Sequence, residues 1–97
     1  MYKIEFTPEA FEDLRLFRKF EQKRIIEGIE SQLKHEPKMA THNRKKLRPN
    51  DVAEYELRLG KYRAFYNVHD EVMIVSIEAI GFKIGHLLLI RGKERAL

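Results

Sequence analysis

Residues 55–66 read YELRLGKYRAFY, and this stretch decides the fold of the chain. On both sides of Gly60-Lys61, Tyr, Leu and Ala side chains alternate with mostly charged ones. A period of two is typical of strands that bury one face. Glycine in the first position of a two-residue loop favours a type II′ turn. The stretch therefore predicts a β-hairpin that turns at Gly60 and Lys61.

The register of this hairpin follows from counting outward from the two-residue loop. Leu59 then pairs with Tyr62, and Arg58 pairs with Arg63 on the face opposite the Tyr and Leu side chains. Like charges directly opposite each other destabilise a strand pair by up to about 1 kcal/mol. We therefore expect an anion between the two arginines, whose planar guanidinium groups suit phosphate. The alternative is that Glu56, on the same face, neutralises them.

Phe65 lies on the same face as both arginines in this register. An aromatic side chain beside paired cations could stack a nucleic-acid base, an interaction worth roughly 1–3 kcal/mol. The alternative is that Phe65 packs beneath the helices or a loop.

The positive charge of the chain is concentrated in one segment. The chain has 97 residues, with 19 Lys and Arg against 15 Asp and Glu, and a net charge of +4. Residues 38–63 hold eight of the basic and three of the acidic side chains, a net charge of +5. Such a block favours a site for a large anion, most commonly nucleic acid. The alternative is a solvated loop. Its densest part contains Arg44, Lys45, Lys46 and Arg48.

Two short helices are predicted over residues 8–35, after a strand at residues 2–6. Thr7 supplies a capping hydroxyl, and Pro8 suits the first position of a helix. The expected inner face of the first helix consists of Ala10, Phe11, Leu14 and Phe17. The expected inner face of the second helix consists of Ile25, Ile26, Ile29 and Leu33.

Further strands are predicted after the hairpin. Residues 72–80 are rich in β-branched side chains, Gly81 and Gly85 are expected to frame a loop, and residues 86–91 could form a last short strand. The resulting order is strand, helix, helix and then three or four strands. We therefore expect one α+β domain over residues 1–97, a mostly antiparallel sheet with a helical hairpin packed on one face.

Several function classes are disfavoured by composition. The chain has no cysteine, which excludes disulfides, thiolate metal sites and a cysteine nucleophile. Its four histidines are scattered without ligand spacing, so we expect no metal and no other cofactor. No run approaches the roughly 20 apolar residues of a bilayer span, and the first residues lack an apolar signal region. We therefore expect a cytoplasmic protein without a membrane partner.

Residues 55–66 resemble the core signature of the RelE/ParE family of toxin–antitoxin toxins, in which Leu-Arg is followed by Gly-x-Tyr-Arg and an apolar run. The resemblance continues through Asp70-Glu71 and the strand at residues 72–80, and is supported by residues 6–10, FTPEA. It covers nearly the whole chain. It implies a RelE-like fold and a small toxin held inactive by a cognate antitoxin protein.

The resemblance implies two alternative activities. RelE-like members cut messenger RNA on the ribosome, through metal-independent attack of a 2′-hydroxyl on the adjacent phosphate, whereas ParE-like members poison DNA gyrase. Arg58 and Arg63 match basic positions of the cleavage site, and Lys83 stands where the family often has arginine. Two departures favour a binding toxin or a degenerate member: Glu56 replaces a frequent basic residue, and no tyrosine follows Tyr66.

The candidate residues divide into two groups. His86, near Lys83, could transfer a proton near neutral pH, or it could be a surface residue. Glu56 could act as a base, or could only neutralise the arginines. The candidate catalytic residues are Arg58, Arg63, Lys83, His86 and Glu56. The candidate RNA-binding residues are Arg44, Lys45, Lys46, Arg48, Lys61 and Phe65.

Overall fold

The computed structural model describes residues 1–97, which form two helices and seven strands. In chain order these are β1 (Lys3–Phe6), α1 (Pro8–Arg15), α2 (Lys19–Leu33), β2 (Arg44–Lys46), β3 (Tyr55–Leu59), β4 (Tyr62–His69), β5 (Ile74–Ile84), β6 (Leu87–Ile90) and β7 (Lys93–Arg95). Neither helix combines the length and the apolar character that crossing a membrane requires.

The strands form one mixed sheet in the order β2-β3-β4-β5-β6-β7, with all of these neighbours antiparallel. β1 pairs in parallel with the first part of β5, and β6 pairs with its last part. The α+β class and the mostly antiparallel sheet are confirmed. The prediction of three or four strands after the helices was too low, because β2 and β7 also form. Each has only three residues, too few for an alternating pattern to show.

The predicted register of the central hairpin is confirmed. Leu59 pairs with Tyr62, and Arg58 pairs with Arg63. A type II′ turn requires a positive φ at its first central residue only. Gly60 has a φ of +59°, and the φ of Lys61 is not positive, so the turn is of this type. The glycine therefore supplies a backbone conformation that side chains with a Cβ rarely adopt.

The sequence predicted that Gly81 begins a loop, and this prediction is wrong. It lies inside β5, where an added Cβ would stand 2.6 Å from the carbonyl oxygen of Leu89 on β6. Glycine is needed at this position because the two backbones approach closely. The chain turns instead at Gly85, which has a φ of +60°.

The main core lies between the helices and one face of the sheet. Thr7 caps α1 as predicted, since its Oγ1 accepts a hydrogen bond from the Ala10 N–H at 3.1 Å. The predicted core positions Phe11 and Ile26 are wrong, because these side chains are 52% and 38% exposed. The buried side chains of this core are Ala10, Leu14, Ile25, Ile29, Leu33, Tyr55, Leu57, Tyr62, Ala64, Tyr66, Val75, Ile77 and Ile80.

A second, smaller core lies on the opposite face of the sheet. Phe65 pairs with Ala79 while Tyr66 pairs with Ile77, so Glu78 is an extra residue that forms a bulge. The bulge shifts the alternation along β5, which places Ala79 on the second core and Ile80 on the first. The members of the second core are Leu47, Ala53, Phe65, Ala79, Leu88 and Ile90.

Candidate functional site

Arg58 and Arg63 face each other across β3 and β4 on the face of the sheet opposite the helices. Arg58 is exposed and forms no ion pair, while Arg63 is only 7% exposed. Nη1 of Arg63 donates to the carbonyl oxygens of Gly60, at 2.6 Å, and Tyr62, at 2.9 Å. The turn of the hairpin therefore holds the Arg63 guanidinium in place, whereas no contact of this kind holds the Arg58 side chain.

The local electrostatics leave a positive charge that protein groups compensate only in part. Burial lowers the pKa of the Arg63 guanidinium; the Glu56 carboxylate opposes this effect, and the Arg58 charge adds to it. Nε and Nη2 of Arg63 form no hydrogen bond in the chain, and neither atom is fully buried. One edge of a fixed guanidinium is thus available to an anion.

Three further predicted residues share this face. Lys83 lies two residues after Gly81, the cross-strand partner of Arg63, and is exposed without an ion pair. Glu56 lies two residues before Arg58, and its side chain is 12% exposed. Its carboxylate stands 3.9 Å from Nζ of Lys45, the residue directly opposite it on β2. The structure therefore brings Lys45, Glu56 and Lys83 to the same face as the arginine pair.

His86 and Lys61 lie at the edge of this arrangement. His86 is exposed in the turn between β5 and β6, three residues beyond Lys83. Lys61 stands 3.9 Å from the Glu21 carboxylate on α2 and 5.5 Å from the centre of the Tyr62 ring. Lys61 therefore extends toward the helices rather than toward the two arginines.

Arg44 has a structural role that the sequence prediction did not include. Its Nη1 donates to the carbonyl oxygens of Gln32, His35 and Glu36 at 2.8, 3.3 and 3.2 Å, and so satisfies the end of α2. A guanidinium engaged in this way is not a free RNA contact, which corrects the predicted role of Arg44. The correction arises because the basic cluster forms β2 and not a loop.

Strand formation also separates the remaining cations of the cluster. Lys46 pairs with Tyr55 and therefore shares the helix side of the sheet, whereas Lys45 pairs with Glu56 on the arginine side. Arg48 is exposed in the connection from β2 to β3. Of the three residues of β2, only Lys45 stands on the face that holds Arg58 and Arg63.

Phe65 cannot stack a base in this conformation. Its side chain is 0% exposed and belongs to the second core. Val52 and Leu97 pack against that core and help to cover it. The alternative interpretation, a phenylalanine packed beneath a loop, is therefore the correct one.

The sequence also left two structural features unrecognised. Asp13 is buried on α1 and forms an ion pair with Arg91. The pattern of apolar residues predicted neither its burial nor this contact. Asn43 lies opposite Arg58, because its carbonyl oxygen accepts the Arg58 N–H at 2.7 Å. Extending the register by one more strand would have found Asn43, but β2 itself was not predicted. No three His, Asp or Glu side chains come together in a group that could hold a metal ion.

Comparison with known proteins identifies the family. Residues 4–81 match the profile of the ParE toxin of the type II toxin–antitoxin system, parDE. The chain belongs to the RelE/ParE family of type II toxins. No curated protein sequence matches this toxin.

Solved structures of the same fold support this assignment. One chain of the RelBE2 toxin–antitoxin complex from Mycobacterium tuberculosis is 27% identical, with a TM-score of 0.72, over 84% of this toxin and 98% of that chain. A chain of the YoeB-YefM complex from Staphylococcus aureus is 25% identical, with a TM-score of 0.63, over 87% and 99%. A chain of the archaeal RelE-RelB complex from Pyrococcus horikoshii shares the fold at 23% identity and a TM-score of 0.66, over 88% and 97%.

Proposed function

We propose that this toxin inhibits translation by cutting messenger RNA on the ribosome. The observation that carries the proposal is the arginine pair. Arg58 and Arg63 are cross-strand partners with no carboxylate bound to either guanidinium, and Glu56, the acid on that face, is already beside Lys45. A phosphate between the arginines would relieve the repulsion that the empty pair suffers.

The proposed chemistry requires no metal and no cofactor. The 2′-hydroxyl loses its proton and its oxygen attacks the adjacent phosphorus. The bond to the 5′-oxygen then breaks, and that oxygen takes up a proton. The products are a 2′,3′-cyclic phosphate and a free 5′-hydroxyl end. Arg58, Arg63 and Lys83 would stabilise the negative charge that builds up on the phosphorane oxygens.

Proton transfer is assigned to Glu56 and His86 in this proposal. Glu56 shares the face of the arginines and would accept the proton of the 2′-hydroxyl. His86, exposed at the tip of the β5–β6 turn, would protonate the leaving oxygen. Because the leaving oxygen is bonded to the same phosphorus that the arginines hold, this role requires the β5–β6 turn to bring His86 to that phosphate.

A cognate antitoxin is the proposed protein partner of this toxin. The three solved structures described above are complexes of two proteins, and that of RelBE2 is a toxin–antitoxin complex. The proposed targets are the ribosome and messenger RNA, and exposed Lys45 and Arg48 are the remaining candidates for contacts with RNA phosphates. Antitoxin binding would keep the toxin inactive in the cytoplasm.

Purified toxin added to ribosomes programmed with a defined message tests the cleavage proposal. Primer extension should detect cuts at the codon in the ribosomal A site. Arg58→Ala should reduce cleavage at least about tenfold, as expected when one charge-stabilising donor is lost. Arg24→Ala is the matched control, because Arg24 is exposed on α2 and forms no ion pair. Intact message at high toxin concentration, or equal cleavage by Arg58→Ala, contradicts the proposal.

Inhibition of DNA gyrase is a second candidate function. It is favoured by the match of residues 4–81 to the ParE toxin profile and by the absence of any tyrosine after Tyr66. A supercoiling assay with purified gyrase distinguishes the two functions. Gyrase-dependent DNA breaks without loss of translation would select this candidate and reject messenger RNA cleavage.

A further inference from the structure

The turn of the central hairpin is bound from both faces of the sheet. On the arginine side, Nη1 of Arg63 donates to the carbonyl oxygens of Gly60 at 2.6 Å and Tyr62 at 2.9 Å. On the helix side, the Tyr62 hydroxyl donates to the carboxylate of Glu21 on α2. Tyr62 therefore connects the buried arginine of the candidate site with an acidic residue on the opposite face of the sheet.

The Glu21 carboxylate is itself fixed at the start of α2. Its Oε1 accepts the backbone N–H of Arg18 at 3.0 Å, as in a capping box. Its Oε2, the acceptor of the Tyr62 hydroxyl, also stands 3.9 Å from Nζ of Lys61. The hydrogen bonds from Tyr62 and Arg18 hold the pKa of Glu21 below its ordinary value, so the carboxylate stays ionised at neutral pH. Glu21 is therefore a fixed acceptor for the side chains of the turn.

Packing contacts also hold the end of the hairpin against the helices. The Tyr62 ring packs edge-on against Phe17, with the ring centres 5.6 Å apart. The helix α2 lies so close that a Cβ added to Gly28 would stand 2.6 Å from Cδ2 of Leu59, the cross-strand partner of Tyr62. Among these contacts, the bond from Tyr62 to Glu21 is the one hydrogen bond between α2 and the hairpin.

We propose that Glu21 is a positioning residue for Arg63 in RNA binding; the inference rests on the proposed function. Glu21 holds Tyr62, and Tyr62 belongs to the turn whose carbonyl oxygens orient the Arg63 guanidinium. Glu21 lies on the helix side, so it does not contact a phosphate held between the arginines. A displacement of about 1 Å in a reactive site costs roughly 100-fold in rate, so small movements of this turn matter.

The sign of the effect distinguishes positioning from simple electrostatics. RNA is a polyanion, so removal of an acidic side chain from the toxin should raise or preserve RNA affinity through charge alone. Positioning predicts the opposite, because Glu21→Ala releases Tyr62 and with it the carbonyl oxygens that orient Arg63. Glu27→Ala is the matched control, since Glu27 is exposed on the same helix and forms no ion pair.

Fluorescence anisotropy with a short RNA oligonucleotide tests the inference on the purified full-length toxin. Glu21→Ala and Tyr62→Phe should each weaken RNA binding about 2- to 30-fold, the range typical of substitutions that act on a ligand through intervening residues. Glu21→Gln keeps an oxygen acceptor for the Tyr62 hydroxyl and should retain most of the affinity. Tyr62→Phe keeps the ring beside Phe17, and urea unfolding checks that every variant folds.

An Arg63→Ala background separates positioning from a general loss of structure. Glu21→Ala should have no further effect on RNA affinity in that background, because the group that it positions is missing. A loss of the same size in both backgrounds overturns the inference, and so does native affinity in both Glu21→Ala and Tyr62→Phe. These two outcomes leave messenger RNA cleavage untouched.

Cleavage of the message is measured separately, on programmed ribosomes. A loss of RNA affinity that depends on Arg63, in a toxin that leaves the message intact, supports the positioning role and overturns the cleavage chemistry. If the native toxin binds no RNA, both are overturned.

Discussion

The buried carboxylate of Asp13 on α1 accepts hydrogen bonds from the Ile80 N–H at 3.1 Å and from Nε of Arg91 at 2.9 Å. Ile80 lies two residues after Glu78, the bulge residue of β5, and Arg91 begins the turn between β6 and β7. Arg91 has a φ of +54°, a conformation that costs a side chain with a Cβ roughly 1–2 kcal/mol. One carboxylate therefore connects α1, β5 and a strained turn of the C-terminal hairpin.

Removing this carboxylate should destabilise the toxin. Asp13→Ala leaves the buried Ile80 N–H without an acceptor, and we expect the free energy of unfolding to fall by about 1–3 kcal/mol. Asp13→Asn keeps one carbonyl acceptor and should lose less. Urea unfolding measures both, with Glu12→Ala as the control, because the Glu12 side chain is 67% exposed on the same helix. Equal losses in the two Asp13 variants would show that the bond to Ile80 contributes nothing.

The same carboxylate should produce a defined pH dependence. Burial raises the pKa of Asp13 above its ordinary value of 3.8, against opposing effects of the Ile80 amide and Arg91. Since the folded-state pKa lies above the unfolded one, this group favours folding most at pH values below 3.8. Its contribution is lost as the pH rises through the folded-state pKa.

Comparison of the native toxin with Asp13→Asn isolates this contribution. The difference in unfolding free energy should shrink as the pH rises from about 4 to 7, because only the native side chain titrates. Acids with lowered pKa values are common to both proteins and cancel in the difference. A difference that stays constant, or grows with pH, contradicts the prediction.

Arg44 should contribute to stability rather than to RNA binding. Arg44→Ala removes a cation that donates to three carbonyl oxygens at the end of α2, and we expect a loss of about 1–2 kcal/mol. Lys46→Ala, an exposed neighbour without an ion pair, should cost less than about 0.5 kcal/mol. Urea unfolding measures stability, and fluorescence anisotropy with a short RNA oligonucleotide measures RNA affinity. A loss of affinity in Arg44→Ala without a loss of stability would restore the RNA-binding role.

The central hairpin was predictable because its signal is local. A two-residue turn flanked by alternating residues allows one register, and that register alone places Arg58 opposite Arg63. The placement of Arg44 depends instead on where α2 ends relative to β2, a relationship between distant segments that no periodicity records. Charge alone therefore identified the basic segment but not which of its cations are free.

The errors in the helices have a different physical origin. Hydrophobicity favoured Phe11 over Asp13 for the inner face of α1, yet Asp13 is buried because Ile80 and Arg91 satisfy it. A pattern of apolar residues does not predict a buried polar residue whose partners lie far along the chain. The sequence also could not show why Gly81 is glycine, since a turn and a close approach of two backbones both require this residue.

Phe65 should be replaceable without loss of RNA affinity. Phe65→Leu keeps an apolar side chain in the second core and should cost about 1.5 kcal/mol or less in unfolding free energy. Because Phe65 is fully buried, anisotropy should give the same oligonucleotide affinity as for the native toxin. A stacking residue would instead lose roughly 1–3 kcal/mol of binding free energy on losing its ring. Such a loss in a variant of native stability would contradict the buried position.

Lysine substitutions should distinguish the two arginines of the site. Nη1 of Arg63 donates to two backbone carbonyl oxygens, which leaves Nε and Nη2 for an anion, whereas lysine has a single nitrogen for both tasks, so Arg63→Lys should lower both stability and RNA affinity. Arg58 is exposed and unpaired, so Arg58→Lys keeps a positive charge at that position and should retain most of the affinity. Urea unfolding and anisotropy on both variants check this. Because loss of Arg63 also weakens the fold, Arg58 variants give the cleaner evidence about RNA binding. Equal effects of the two substitutions on stability and affinity would mean that the hydrogen bonds of Arg63 are dispensable.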